Sequence, residues 1–136
     1  MYKRQVLGAD TAVVCGQQVF GQPSDRSDAR RMLLALSDKT HSVLSAVAVD
    51  NGIKRSMLLS ETRVTFRSIS AQDCDNYWQT GEPLGKAGGY AIQGFGAIFV
   101  AHLEGSYSGV VGLPIAETEV LLKQFAIPLW QDAKAV

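Results

Sequence analysis

Three side chains that could bind a ligand lie close together in one stretch, residues 80–96: the carboxylate Glu82, the ammonium Lys86 and the amide Gln93. The stretch also holds six glycines and one proline, so it favours neither a long helix nor a regular strand. A glycine-rich backbone lets a ligand approach closely, and free N–H groups beside a lysine suit a phosphate or another anion. Gln93 carries two donors and an acceptor, enough to recognise the edge of a base.

This order of residues is not that of a P-loop, which requires G-x-x-x-x-G-K-[ST]. Two interpretations of residues 80–96 therefore stay open. The stretch either binds a ligand or simply connects two regular elements on the surface.

A further candidate is Asp10, which interrupts a valine-rich run at residues 6–15 that predicts a buried strand ending at Gly16. A carboxylate in a buried strand is unfavourable unless it is paired, protonated or bound to a metal. Asp10 is either hydrogen-bonded at a strand end, to Thr11 or a loop amide, or it is a catalytic carboxylate at the edge of a sheet.

The histidines and cysteines form no cluster in the sequence. His41 and His102 have no partner at metal-ligand spacing, and we expect each to be structural or exposed. Cys15 and Cys74 match neither a metal motif nor a disulfide framework, so we expect free thiols in a reducing compartment.

Length and composition indicate one compact domain with a real core, since 46% of the 136 residues are apolar. Lysine plus arginine and aspartate plus glutamate both number 13, which argues against a surface for a nucleic-acid polymer. We find no signal peptide and no apolar run long enough to span a bilayer. The sequence thus predicts a soluble, cytoplasmic protein with no membrane partner.

Strands and helices are predicted in a mixed order, which indicates the α/β or α+β class. The predicted strands are residues 6–15, 19–20, 40–49, 54–66 and 97–103, with a tight turn at residues 50–52. A helix begins after Ser24 or Asp25, with a core face of Ala29, Met32, Leu33 and Leu36. A second helix covers residues 70–78, a loop covers residues 104–109, and the last helix follows Pro114, with a core face of Ala116, Val120, Leu121 and Phe125.

Three segments together resemble the Maf (septum-formation inhibitor) family: "LGADTAVV", "GEPLGKAGGYAIQGFGAIFV" and "GSYSGVVGLPIAET". They occur in the family's order and spacing, from about Leu7 to about Ile127. Members are nucleoside-triphosphate pyrophosphatases with a fold similar to that of inosine triphosphate pyrophosphatases. The resemblance implies an α/β fold with a curved mixed sheet, flanking helices and a central cleft between two lobes.

The resemblance also implies roles for individual residues. Asp10 matches the family's proton acceptor, or would hold a divalent metal, Mg or Mn, and Thr11 matches a residue linked to substrate choice. Lys86 would hold phosphate. Gln93 matches the glutamine of the dTTP/UTP pyrophosphatases, where the 7-methyl-GTP branch usually has glutamate. The implied reaction is hydrolysis of dTTP or UTP to monophosphate and pyrophosphate, at a site where the end of the Asp10 strand meets the 86–93 loop. A homodimer is left open.

The chain departs from the family pattern in three places. Relative to the family, we expect residues 1–136 to form a single, N-terminally truncated domain that lacks a first strand and an arginine-bearing loop. Gln22 stands where most members carry lysine, and Gly85 where they usually carry aspartate. These departures leave an alternative open, in which the chain is a non-catalytic remnant or a nucleotide-binding fragment.

Overall fold

The computed structural model describes residues 4–130. Within them lies a five-stranded sheet of order β2-β1-β3-β4-β5. The strands are β1 (Val6–Cys15), β2 (Gln18–Phe20), β3 (Thr40–Asp50), β4 (Arg55–Phe66) and β5 (Val100–Glu104). The helices are α1 (Arg26–Leu36), α2 (Ala71–Gln79), α3 (Tyr107–Val111) and α4 (Ile115–Gln124), and two 3₁₀ turns cover Ala87–Gly89 and Phe95–Phe99. No helix in this part of the chain is long and apolar enough to cross a membrane.

The α/β class and the flanking helices are confirmed, but the sheet differs from the expected mixed sheet. All the strand pairs among residues 4–130 are antiparallel. Tight turns join β1 to β2 and β3 to β4, and a turn of that length can join only antiparallel strands. The five strands described therefore form an antiparallel sheet and not the expected mixed sheet.

Helix α1 confirms the local prediction and decides its starting point. The Asp25 side chain accepts a hydrogen bond from the Asp28 amide at 2.8 Å, so Asp25 rather than Ser24 caps the helix. The whole predicted core face is buried, and the buried residues of the helix are Ala29, Met32, Leu33 and Leu36. This face packs on the sheet in a core that includes Val13, Val43, Val64, Phe66, Tyr77, Tyr90 and Phe99.

Helix α4 presents only part of the predicted face to the core, since Leu121 and Phe125 are correct and the other two residues are not. Ala116 is exposed and Val120 is 45% exposed, so both assignments are wrong. The buried residues are Thr118 and Leu121, with Phe125 partly buried beside them. Thr118 can be buried because its hydroxyl donates a hydrogen bond to the Pro114 carbonyl at 2.7 Å. A hydrophobicity pattern counts threonine as polar and therefore predicts it at the surface.

The segment before β5 also differs from the prediction. Residues 97–99 belong to the 3₁₀ turn Phe95–Phe99, and the strand begins only at Val100. Backbone hydrogen bonds hold this turn, from the Ala97 amide to the Gly94 carbonyl at 3.2 Å and from the Val100 amide to the Ala97 carbonyl, so pairing with β4 begins only at Val100. The loop predicted at residues 104–109 contains the start of α3, which Ser106 caps by accepting from the Gly109 amide at 3.0 Å.

The predictions for the two histidines and the two free thiols are confirmed. His41 is buried and structural, and His102 is exposed. Both cysteines are free, with Cys74 buried and Cys15 half-buried.

Acid should destabilise this protein through His41, and this is a testable prediction. Burial lowers the pKa of His41 from 6.5 to about 4. Between these two values the unfolded chain binds a proton that the folded chain does not. The free energy of unfolding should therefore fall as pH drops from about 7 towards 4, by about 3 kcal/mol in total. Urea unfolding at several pH values measures this slope.

The control for this prediction is a pair of variants. His41→Gln should flatten the slope across that pH window, because no imidazole remains to titrate. His102→Gln, at an exposed position, should leave the slope as it is in the parent chain. Equal slopes for the parent chain and His41→Gln would contradict the assignment.

Candidate functional site

A pocket of about 220 Å³ lies where β1 meets the glycine-rich stretch. Asp10, Thr11, Lys86 and Gln93 all line it, although they come from two segments more than 70 residues apart in sequence. Its lining residues are Ala9, Asp10, Thr11, Val13, Gln22, Val43, Gly85, Lys86, Ala87, Tyr90, Ala91, Gln93, Val110 and Val111. The fold thus brings the predicted site residues together, while their roles stay predictions.

Asp10 lies at the border between two cavities. Its Oδ1 accepts a hydrogen bond from the Thr11 amide at 2.9 Å, and the residue is exposed. It also lines a second cavity, of about 230 Å³, with Gly8, Ala46, Ala48 and Met57. The predicted position at a strand end is wrong, because Asp10 lies in the middle of β1 and pairs with Ala46. The hydrogen bond to Thr11 and the place at the pocket are both present.

The expectation of a buried strand at residues 6–15 holds only for the second half of β1. Residues 6–10 are exposed, and burial begins at Thr11 and becomes complete at Val13. The reason is that the first 3₁₀ turn and β2 pack on the second half of β1, where Val13 pairs with Phe20. Asp10 thus avoids the desolvation that a fully buried strand would impose on a carboxylate.

Thr11 faces the side of the sheet that the helices cover. Its hydroxyl lies 3.0 Å from the hydroxyl of Ser45, its cross-strand partner in β3. Ser45 is fully buried and donates to the Gly109 carbonyl of α3. This chain of hydroxyl groups ties β1 to the helix whose Val110 and Val111 form a pocket wall. Nothing in the sequence points to Ser45, because only the register of β1 on β3 places it beside Thr11.

Lys86 reaches the pocket because the backbone around Gly88 packs tightly on β1. The Gly88 amide donates to the Gly21 carbonyl at 3.0 Å. Gly88 has a φ of +75°, and a β carbon there would lie 3.2 Å from Val13 Cγ2. A glycine is thus needed for both the conformation and the close approach. Lys86 itself is half-buried and makes no ion pair with any residue between 4 and 130.

Gln93 is exposed at the pocket rim, and the backbone on each side of it is held by hydrogen bonds. The Ala91 amide donates to the Tyr77 hydroxyl at 3.0 Å. The Phe95 and Gly96 amides donate to Glu82 Oε1 and Oε2, each at 2.9 Å. Tyr77 in turn donates its hydroxyl proton to the Glu82 carboxylate. The sequence singled out Glu82 as a charged group of the stretch but gave no sign of its link to Tyr77.

The two members of this hydrogen-bonded pair have opposite pKa shifts. Burial raises the pKa of Glu82, but hydrogen bonds from Tyr77, Gly96 and Phe95, together with the positive charge of Lys86, outweigh it and hold the pKa below its usual range. Burial, followed by the hydrogen bond to Glu82, raises the pKa of Tyr77 far above that of a free phenol. At neutral pH the pair is therefore an ionised carboxylate and a neutral phenol.

The charges in the pocket are few. Asp10 and Lys86 are the charged side chains among the lining residues, and Gln22 and Gln93 add amides. Gln22 therefore brings no second cation to the pocket. Gly85 has a φ of +74° and open space around its β carbon position, so an aspartate would fit there sterically at some cost in backbone strain.

These features define a class: an α/β protein with a pocket of about 220 Å³ whose lining offers one cation, one carboxylate and two exposed amides. A family described as Maf-like protein matches residues 1–125, and the chain therefore belongs to the Maf family.

Curated relatives named dTTP/UTP pyrophosphatase are similar over most of this chain. The protein of Saccharophagus degradans is 55% identical over 126 residues, which are 93% of this chain and 60% of that protein. The protein of Albidiferax ferrireducens is 52% identical over 120 residues, 88% of this chain and 60% of that protein. The protein of Shewanella denitrificans is 52% identical over 118 residues, again 60% of its length. The chain thus spans about 60% of the length of these relatives.

Proposed function

We propose that this protein hydrolyses dTTP and UTP to the nucleoside monophosphate and pyrophosphate. The observation that carries the proposal is the pocket where Asp10, Thr11, Lys86 and Gln93 meet. It occurs in a chain that is 50% or more identical to relatives named dTTP/UTP pyrophosphatase. We further propose that the site lies in a single domain of a cytoplasmic protein, as monomer or homodimer.

The substrate would bind through its two ends. The Lys86 ammonium holds phosphate oxygens as a point charge, and it has no competing ion pair among residues 4–130. Gln93 pairs its amide with the base, accepting from the ring N–H of uracil or thymine and donating to the adjacent carbonyl. Thr11, held by Ser45, limits the space beside it.

Asp10 would act as the general base. Its carboxylate takes a proton from a water molecule as the water oxygen forms a bond to the α-phosphorus. The bond from the α-phosphorus to the oxygen bridging the α and β phosphates breaks, and pyrophosphate leaves with that oxygen. The Thr11 amide orients the carboxylate through Oδ1, which leaves Oδ2 free for the water.

A divalent cation, Mg²⁺ or Mn²⁺, fits the donor set of this pocket. Such ions bind through one or two carboxylates together with substrate phosphates, and Asp10 is the carboxylate that the lining provides. No cluster of three or more histidine, cysteine, aspartate or glutamate residues occurs between residues 4 and 130. As the alternative to acting as the base, Asp10 would hold the ion together with the nucleotide. When bound, the ion neutralises phosphate charge and lowers the pKa of a coordinated water.

Nucleotide binding without catalysis is the second candidate function. Gln22 lines the pocket where most family members carry lysine, so Lys86 is the cation that the lining offers. One cation holds a triphosphate less tightly than several would, which lowers both affinity and stabilisation of the transition state.

The experiment that tests the proposal follows the products. The chain is incubated with dTTP, UTP, CTP or 7-methyl-GTP and with Mg²⁺ or Mn²⁺, and monophosphate, pyrophosphate and orthophosphate are separated. We expect monophosphate and pyrophosphate in equal amounts, fastest from dTTP and UTP. Formation of diphosphate and orthophosphate would contradict the proposed bond cleavage. Binding of UTP without turnover would favour the second candidate.

Exchanging Gln93 for glutamate should change the preferred base. A carboxylate only accepts hydrogen bonds, so it loses the donor to a uracil carbonyl and gains a match to the N–H groups of a guanine edge. The ratio of kcat/KM for UTP to that for 7-methyl-GTP should fall by about tenfold or more in Gln93→Glu. Gln79→Glu, at an exposed position at the end of α2, is the matched control. An unchanged ratio would show that Gln93 does not contact the base.

A further inference from the structure

We propose that Glu82 and Tyr77 are positioning residues that fix the backbone carrying Gln93, and that they set base selectivity without touching the substrate. The inference rests on the proposed function, because it assigns the base to Gln93. Neither residue is among those that line the pocket. Their effect must therefore pass through the segment that they hold.

The contacts reach both sides of Gln93. Two residues before it, the Ala91 amide donates to the Tyr77 hydroxyl at 3.0 Å. After it, the Phe95 and Gly96 amides donate to the two oxygens of Glu82, each at 2.9 Å. Because Tyr77 also donates to Glu82, one connected network holds the segment from Ala91 to Gly96 at both ends.

Two glycines allow this network to close. A β carbon at Gly94 would lie 1.7 Å from Glu82 Oε1. A β carbon at Gly96 would lie 2.6 Å from the Ala91 carbonyl oxygen and 2.8 Å from the Tyr77 hydroxyl. Glycine at these two positions thus leaves the space that the Glu82 carboxylate, the Tyr77 phenol and the Ala91 carbonyl occupy.

The network is built to be rigid. Tyr77 is 3% exposed, and its ring packs edge-on against Phe99 at a centroid distance of 5.1 Å. Hydrogen bonds to an ionised carboxylate are stronger than those between neutral groups. A glutamine at position 82 would present an NH₂ group to one of the three donors, so at least one hydrogen bond would be lost without a change in side-chain length.

The rest of the fold does not depend on these bonds. Helix α2 has its own capping box at Ser70 and Asp73. The sheet pairs β4 with β5 only from Val100 onwards, after the held segment ends. Loss of the network should therefore loosen residues 91–96 and leave the sheet in place, which separates positioning from general stability.

The test compares Glu82→Gln and Tyr77→Phe with the parent chain and with Glu104→Gln, an exposed matched control on β5. Amide hydrogen exchange is measured by NMR. In Glu82→Gln, we expect the Phe95 and Gly96 amides to exchange at least about tenfold faster. In Tyr77→Phe, we expect the same for the Ala91 amide. The exchange rates of amides in β3 and β4 should not change in either variant. Unchanged exchange at these amides would overturn the network.

The functional readout is the selectivity for UTP over 7-methyl-GTP. Both variants should raise KM for UTP and reduce this selectivity severalfold. The change in kcat should be smaller, most clearly in Tyr77→Phe, which keeps the Glu82 charge that interacts with Lys86. Faster exchange with the parent's selectivity would overturn the positioning role. If the parent chain turns over no nucleotide, only the proposed function is overturned. The positioning role is then decided by two other measurements, the UTP affinity by calorimetry and the amide exchange rates.

Discussion

Replacement of Asp10 by asparagine should lower kcat for dTTP and UTP by about a thousandfold, because general-base catalysis contributes on this scale. Asparagine keeps the size of the side chain and an oxygen that accepts from the Thr11 amide, which at present donates to Asp10 Oδ1 at 2.9 Å. It cannot take a proton from water. The affinity for UTP should change much less than kcat, since Lys86 and Gln93 remain.

The measurement is single-turnover release of pyrophosphate, together with UTP binding by calorimetry. Asp38→Asn is the matched control, because it removes one carboxylate at an exposed residue after α1. Asp38 has a positive φ of 56°, a conformation that asparagine tolerates. The control should keep the parent's rate. An Asp10→Asn variant that keeps most of the parent's kcat would show that Asp10 is not the base.

Removal of the charge at Lys86 should have the second-largest effect. Lys86 is the cation among the pocket-lining residues. Charge-assisted hydrogen bonds contribute about 1.5–3 kcal/mol each, so Lys86→Met should weaken UTP binding by about tenfold to a hundredfold. Methionine is unbranched like lysine, so it keeps most of the apolar contacts of the side chain while removing the ammonium.

Comparing ligands with and without phosphates shows which part of the nucleotide Lys86 binds. Binding of uridine, which carries no phosphate, should be the same in the parent chain and in Lys86→Met, whereas binding of UTP should differ. Lys39→Met, an exposed lysine whose ammonium donates to the Ala35 carbonyl at 3.2 Å, serves as the control for overall charge. Equal loss for uridine and UTP would mean that Lys86 supports the pocket rather than the phosphates.

Elements with local hydrogen-bonding signals could be predicted from the sequence. Asp25 and Ser70 each cap a helix through a backbone amide three residues on. The turn after Asp50 joins β3 to β4 as expected, with Asn51 accepting from the Lys54 amide at 2.7 Å. These contacts form between near neighbours in the chain, so residue types and spacing are enough to specify them.

The faces that pack against distant elements were harder to predict. On α4, Leu121 and Phe125 lie in the core as predicted, but Thr118 is buried while the predicted Ala116 and Val120 are exposed. The helix could rotate to bury Thr118 because a local carbonyl satisfies its hydroxyl. Which face is covered depends on where β3 and β4 lie, and periodicity within ten residues does not contain that information.

By itself, the sequence determined the α/β class, most helix and strand positions, the Maf resemblance and the four residues Asp10, Thr11, Lys86 and Gln93. Tertiary structure alone decided that these four line one pocket, that Ser45 supports Thr11, and that Tyr77 and Glu82 hold the backbone around Gln93. The physical reason is the distance along the sequence between the residues in contact. A cap or a turn forms within a few residues, whereas the Thr11–Ser45 contact spans 34 residues and exists only once β1 and β3 have paired in register.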